Sequence, residues 1–216
     1  VDLDRDGAAE LVTALGRPNR ALGDPSAVAI FSSADFVAYR SGGLDDSALM
    51  DGALLFTGPA GSGFGASLSA GDANGDQHED LIIGAPYQGS KVGAGQEPRP
   101  EAGAIYVVLG SPIADYFAVT DTSVDDLLTI DVTTDDVNLP LLIVRGNQSY
   151  GFFGTAVATS SHLISMDLET PQGYCFVYQP GWFDGTKPLD RNRGRVWSLN
   201  LATLLGCGHQ APCPLP

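Results

Sequence analysis

Short apolar runs, each stopped by glycine, proline or a polar cluster, set the rhythm of this chain. Leu11 to Leu15, Ala27 to Phe31, Leu54 to Phe56, Leu81 to Ile83, Ile105 to Leu109, Leu141 to Val144 and Cys175 to Tyr178 read as buried strands. No long stretch keeps a helical period, and 27 Gly and 14 Pro among 216 residues supply frequent turns. The expected class is all-β, built from short antiparallel strands.

Two of these strands are preceded by loops that alternate oxygen-bearing side chains. Asp72, Asn74, Asp76 and Asp80 stand at loop positions one, three, five and nine, and Asp2, Asp4, Asp6 and Glu10 occupy the same four places at the N-terminus. Such spacing lets a short turn wrap a hard cation in oxygen ligands, and calcium is its natural occupant. At position seven, His78 and Ala8 would contribute only their backbone carbonyls, so the His78 side chain is not expected to be a ligand. An EF-hand opens similarly but closes on a bidentate Glu at position twelve between two helices. Position twelve is Ile83 or Thr13, inside an apolar run, so these are strand-loop-strand sites.

The surrounding segments repeat. Leu54 to Gly58 leads to Phe64-Gly65-Ala66-Ser67-Leu68, and Leu141 to Gly146 leads to Phe153-Gly154-Thr155-Ala156-Val157. A further strand recurs at Ala27 to Phe31, Gly103 to Leu109 and Gly194 to Leu199. With Phe64-Gly65, the Asp-rich loop and Gly84-Ala85-Pro86 in this order, the chain resembles the FG-GAP repeat of integrin alpha chains and of many bacterial surface proteins. The resemblance implies β-propeller blades of four antiparallel strands, calcium in the loop between the first two strands, and a ring that commonly closes with seven blades.

On this reading residues 1–57 are a partial blade with a calcium loop. Residues 58–146 are a complete blade with a calcium loop, and residues 147–216 are a degenerate or truncated blade. No calcium is assigned to the third, because Asp167 and Glu169 fall out of register. Beginning inside a loop at Val1, with two to three blades where closure takes about four to eight, the chain is expected to be part of a larger propeller. Its flanking sheets would then be open and prone to associate.

Charge narrows the partners. A formal net charge of −15 excludes nucleic acid, whose phosphates need a positive surface. Seven carboxylates lie in the two loops (Asp2, Asp4, Asp6, Glu10, Asp72, Asp76, Asp80), and about two calcium ions would offset four of those charges. Much remaining acidity falls between Ser111 and Pro140, read as a solvated insertion with one strand near Leu127 to Val132. Gln88 to Glu101, rich in Gly and Pro, is a second insertion, and both are candidate recognition surfaces.

Cys207 and Cys213 flank a short turn suited to a disulfide, as in an oxidising exterior, whereas Cys175 reads as a buried small side chain. His209 with that pair gives three ligands, too few for a closed zinc site. Asn147-Gln148-Ser149 is a glycosylation sequon, and no membrane span is visible. Lys187, Arg191, Arg193 and Arg195 read as a solvated hairpin tip.

Motifs of nucleophilic, metalloprotease and nucleotide chemistry are missing, so no catalytic residue is assigned. The expectation is a non-catalytic, calcium-binding module at the cell surface or outside the cell, meeting a protein or glycan ligand. Two alternatives differ in class. One is the accessory propeller of a secreted hydrolase resembling glycosylphosphatidylinositol-specific phospholipase D. The other is a carbohydrate-binding propeller using Tyr174, Tyr178, Trp182 and Phe183.

Overall fold

The structure is a computed structural model that describes residues 1–3, 5–15, 26–51, 53–90, 98–110, 128–133, 141–163, 172–181, 194–201 and 204. Among the described residues it is mostly β, arranged as three sheets. The first runs β1 (Leu11–Leu15), β2 (Ala27–Phe31), β3 (Leu54–Thr57) and β7 (Leu128–Asp131). The second runs β4 (Ser67–Gly71), β5 (Asp80–Ala85), β6 (Ala104–Val108) and β8 (Leu141–Arg145), antiparallel throughout. In the third, β10 (Gln172–Gln179) lies between β9 (Ala156–Leu163) and β11 (Arg195–Leu199).

Alternation within each strand decides how the sheets stack, because neighbouring side chains point to opposite faces. Leu81, Ile83, Ala104, Tyr106 and Val108 of the second sheet share one core with Val28, Ile30, Leu54 and Phe56 of the first. The intervening Ile82, Ile105 and Val107, with Val144, share another with Cys175, Val177, Trp197 and Leu199 of the third. The middle sheet is therefore apolar on both faces. That is why β5 and β6 read as unbroken apolar runs rather than as an alternation.

Each aromatic-glycine pair plugs a seam. Phe64 is fully buried against Tyr106, ring centroids 5.1 Å apart and edge-on at 80°, and Phe153 is buried in the second core. Gly154 follows with φ 89°, and a Cβ there would lie 2.4 Å from the Ala104 carbonyl oxygen. Its own carbonyl accepts a 2.8 Å hydrogen bond from Ser67 Oγ. Farther along the same seam, the Thr159 amide donates to Ser69 Oγ at 3.0 Å and Thr159 Oγ1 donates to the Ala70 carbonyl at 2.6 Å. Hydroxyls thus tie β4 to β9 without a backbone ladder.

Two features depart from the expected blades. Residues between β2 and β3 form two short helices, α1 (Ser33–Arg40) and α2 (Asp46–Asp51). Ser32 caps the first, accepting from the Asp35 amide at 3.1 Å while its hydroxyl donates to the Asp35 carboxylate at 2.8 Å. Residues of α1 are not buried, so the helix has no apolar stripe to betray it, although Leu49 and Met50 of α2 pack on Ala29 and Phe31. The second departure is β7. It belongs to the acidic insertion after β6, yet it pairs in parallel with β3 of the first sheet and buries Ile130 there. The Val132 amide continues the contact, donating to Thr57 O at 3.0 Å. The first sheet is therefore mixed rather than purely antiparallel, and the outer edge of β3 is covered.

Two predictions follow from these seams. Gly154→Ala should cost at least about 2 kcal/mol in urea unfolding, from the left-handed backbone and the Ala104 contact together; a change below about 0.5 kcal/mol would mean the turn yields freely. Tyr106 is the second case: burial pushes its hydroxyl up to about 12 from 10.0, and the hydroxyl donates to Gln88 Oε1 at 2.6 Å. A raised acid in the folded state stabilises below its unfolded value, near 10, and that stability is lost as pH rises through about 12. Wild type should exceed Tyr106→Phe by about 1 kcal/mol near neutrality. Denaturant titrations should show the gap closing between those two values, and a gap independent of alkaline pH would contradict the assignment.

Candidate metal centre

The second loop joins β4 to β5 and is organised by its own carboxylates. Asp72 Oδ1 accepts from the amides of Gly75 at 2.6 Å and Asp76 at 3.1 Å, and Oδ2 accepts from Gln77 at 2.9 Å. Asn74 Oδ1 takes the Asp76 amide at 2.8 Å, and Asp76 Oδ1 takes the His78 amide at 2.8 Å. These are turns that Asp and Asn favour because their short side chains reach the backbone two residues on. Gly75 (φ 87°) and Gln77 (φ 69°) sit in left-handed conformations that let the chain coil this tightly.

Asp80 closes the loop from inside. It is fully buried at the start of β5, accepting from the Ala73 amide at 3.0 Å and the Gly110 amide at 3.1 Å. Burial pushes its carboxyl up to about 7; those two hydrogen bonds oppose the rise, and the charges of Asp76 and Asp72 add to it. A carboxylate placed like this gains from any cation set beside it.

The first loop repeats this construction. The Leu3 amide donates to Glu10 Oε2 at 2.5 Å, as Ala73 does to Asp80, and the Ala8 amide donates to Asp6 Oδ1 at 2.7 Å, as His78 does to Asp76. Left-handed residues recur at the equivalent places, Arg5 (φ 61°) and Gly7 (φ 87°). Leu3 and Ala73, both at position two, are both fully buried. Two segments 70 positions apart therefore share two amide-carboxylate bonds and two left-handed positions.

They differ in how closely the carboxylates gather. Asp2, Asp6 and Glu10 each bring an oxygen within 4.8 Å of the others, the one such group of three among the described residues. Asp72, Asp76 and Asp80 do not converge to that degree, their oxygens being turned to loop amides. Asp4 lies outside the described residues. At this separation two unit charges repel by about 3 kcal/mol at an effective dielectric of ~20, less where solvent screens Asp6. Asp2 Oδ1 is buried without a hydrogen-bond partner. A buried oxygen beside two further carboxylates fits a hard divalent cation held by oxygen.

Contacts between the loops were not legible from spacing. The Asp2 amide donates to Glu79 Oε2 at 2.8 Å across 77 residues, and the Arg5 guanidinium donates to the Gln77 carbonyl. Glu79 carries no local signal, since its partner lies in another repeat.

Other sequence-derived sites are placed in part. The third repeat's loop with Asp167 and Glu169, the pair Cys207 and Cys213, and Trp182, Phe183, Lys187, Arg191 and Arg193 lie outside the described residues. Cys175 is buried, and burial pushes its thiol up to about 12, which leaves it protonated and inert. Asn147 is exposed, Tyr178 is exposed on β10, and Arg195 stacks 4.0 Å above the Trp197 ring. Among the described residues no helix is long and apolar enough to cross a membrane.

Residues 64–108 match the family model of the FG-GAP repeat. The matched stretch holds Phe64-Gly65, the second loop and the strands β4, β5 and β6. No curated protein matches the chain.

Removing one charge tests the crowding directly. In chelator, Asp2→Asn should raise the stability of the protein by roughly 1 kcal/mol, because the repulsion among half-buried Asp2, exposed Asp6 and buried Glu10 is relieved. Loss of stability in thermal melts of the metal-free protein would show that the cluster is not under electrostatic stress.

Proposed function

We propose that this chain, which carries an FG-GAP repeat at residues 64–108, is a calcium-binding, non-catalytic part of an extracellular β-propeller that presents a protein- or glycan-binding surface. The observation that carries the proposal is the pair of loops: two amide-carboxylate bonds recur at equivalent positions in both, with Asp2, Asp6 and Glu10 drawn together in the first. Asp2, Asp4, Asp6 and Glu10, with the Ala8 carbonyl, would hold one ion. Asp72, Asn74, Asp76 and Asp80, with the His78 carbonyl, would hold the other. A bound calcium ion supplies positive charge that neutralises the carboxylates and couples metal affinity to folding.

The chain's own residues do the rest. Glu10 and Asp80 anchor each loop to the strand that follows, through the position-two amides. The buried sheets hold both loops at their strand ends, so the connections elsewhere project from a rigid scaffold, where binding surfaces are commonly built. Exposed acidic side chains such as Asp131 favour a partner with basic or neutral contacts over a polyanion.

Calorimetric titration of chelator-treated protein should detect about two calcium ions. Stability should rise by about 2.7 kcal/mol for each ion bound when free calcium reaches a hundredfold of the dissociation constant. Asp72→Ala should remove one ion and part of that gain. Identical melting temperatures in saturating calcium and in chelator would refute the role.

A further inference from the structure

We propose that the two loops take up their ions cooperatively, through the Asp2–Glu79 and Arg5–Gln77 contacts; this rests on the calcium reading above. The contacts join the parts of each loop that a bound ion would order. Asp2 is itself a candidate ligand, and its amide is held by Glu79, which lies between His78 and Asp80. Arg5 lies between Asp4 and Asp6, and its guanidinium holds the carbonyl of Gln77, which lies between Asp76 and His78. No ligand position in either loop is more than one residue from such a contact, apart from Asp72, Asn74, Ala8 and Glu10.

Backbone conformation makes these contacts consequential. Arg5 and Gln77 both have left-handed φ, 61° and 69°, a region that residues other than glycine occupy only when their surroundings hold them. An ion in the second loop fixes the turn at Gln77 and so presents a carbonyl to Arg5. It also sets Glu79 against the Asp2 amide, orienting the first residue of the other loop. Ordering that one loop has already undergone need not be repeated by the next, which is positive coupling without a large structural change. Linkage makes the effect reciprocal. A common core keeps the loops in range: Leu3 from the first packs with Leu81 and Ile83 from the strand leaving the second.

Sequence equivalence gives the coupling a specific origin. The first loop has Gly7 and Ala9 where the second has Gln77 and Glu79. Ala9 has no carboxylate, so Glu79 is a positioning residue specific to this junction rather than a property of every such loop.

The test uses the full 216-residue chain, chelator-treated and titrated with calcium alone. Asp2→Ala and Asp72→Ala each disable one loop and report the constant of the other. The two-ion constant of wild type should exceed the product of those two constants by roughly fivefold or more. Glu79→Ala and Arg5→Ala, each placed in the same cycle, should bring that ratio toward unity. Glu79→Gln, which keeps an acceptor oxygen, should preserve it, and this rescue distinguishes coupling from general loss of structure; circular dichroism in chelator checks that each variant is folded. A wild-type ratio near unity overturns the coupling and leaves the calcium reading standing. A raised ratio that survives both alanine variants overturns the assigned contacts. No calcium uptake by any form overturns the calcium reading and the coupling with it.

Discussion

Each loop depends on a carboxylate set at its junction with a buried strand. Asp80 begins β5 and Glu10 directly precedes β1, and each accepts the amide of a residue seven positions back. That single bond closes the loop into a ring and fixes where the strand enters the sheet. Burying that carboxylate carries an electrostatic cost that the bond only partly offsets, since a charged group is placed where water cannot solvate it. Asp80 responds by a carboxyl pushed up to about 7, chiefly by burial. The charges of Asp76 and Asp72 nearby add to that rise.

The sheets meet through side chains and hydroxyls, not through a shared backbone ladder. β4 and β9 are joined by Ser67, Ser69 and Thr159, while Phe64 and Phe153 fill the seams. Such stacking lets a repeat contact only its neighbours, so stability is a sum of sheets and seams. Backbone bonds do cross between repeats where β7 pairs with β3, covering a strand edge that would otherwise be open to pairing, and where the amides of Tyr150, Phe152 and Phe153 donate to the carbonyls of Pro100, Glu101 and Ala102.

Much of the fold was legible because its signals are local. Glycine and proline end the apolar runs at Leu81 to Ala85 and Ala104 to Val108, and both runs are strands with every residue buried. The aromatic-glycine pairs were legible by recurrence, and residues 64–108 match the FG-GAP repeat. The helices were not. Residues of α1 are not buried, so there was no period to read, and its capping by Ser32 needs only two residues three positions apart. The parallel pairing of β7 was equally hidden, because Leu128 to Asp131 carries the same alternation whichever sheet it joins.

For the candidate site, the alternation of Asp6, Asp72, Asn74 and Asp76 was determined by sequence alone. Short-range turns impose it: an Asp or Asn side chain bonds the amide two or more residues ahead, whatever surrounds the loop. Tertiary structure decided which carboxylates converge, since Asp2, Asp6 and Glu10 gather within 4.8 Å while the second loop's oxygens remain on amides. It decided the burial of Asp80, which needs the Gly110 amide from 30 residues away, and the pairing of Asp2 with Glu79 across 77. Sequence spacing specifies what a loop can do with its own backbone; desolvation and contacts between repeats exist only once the sheets have stacked and excluded water.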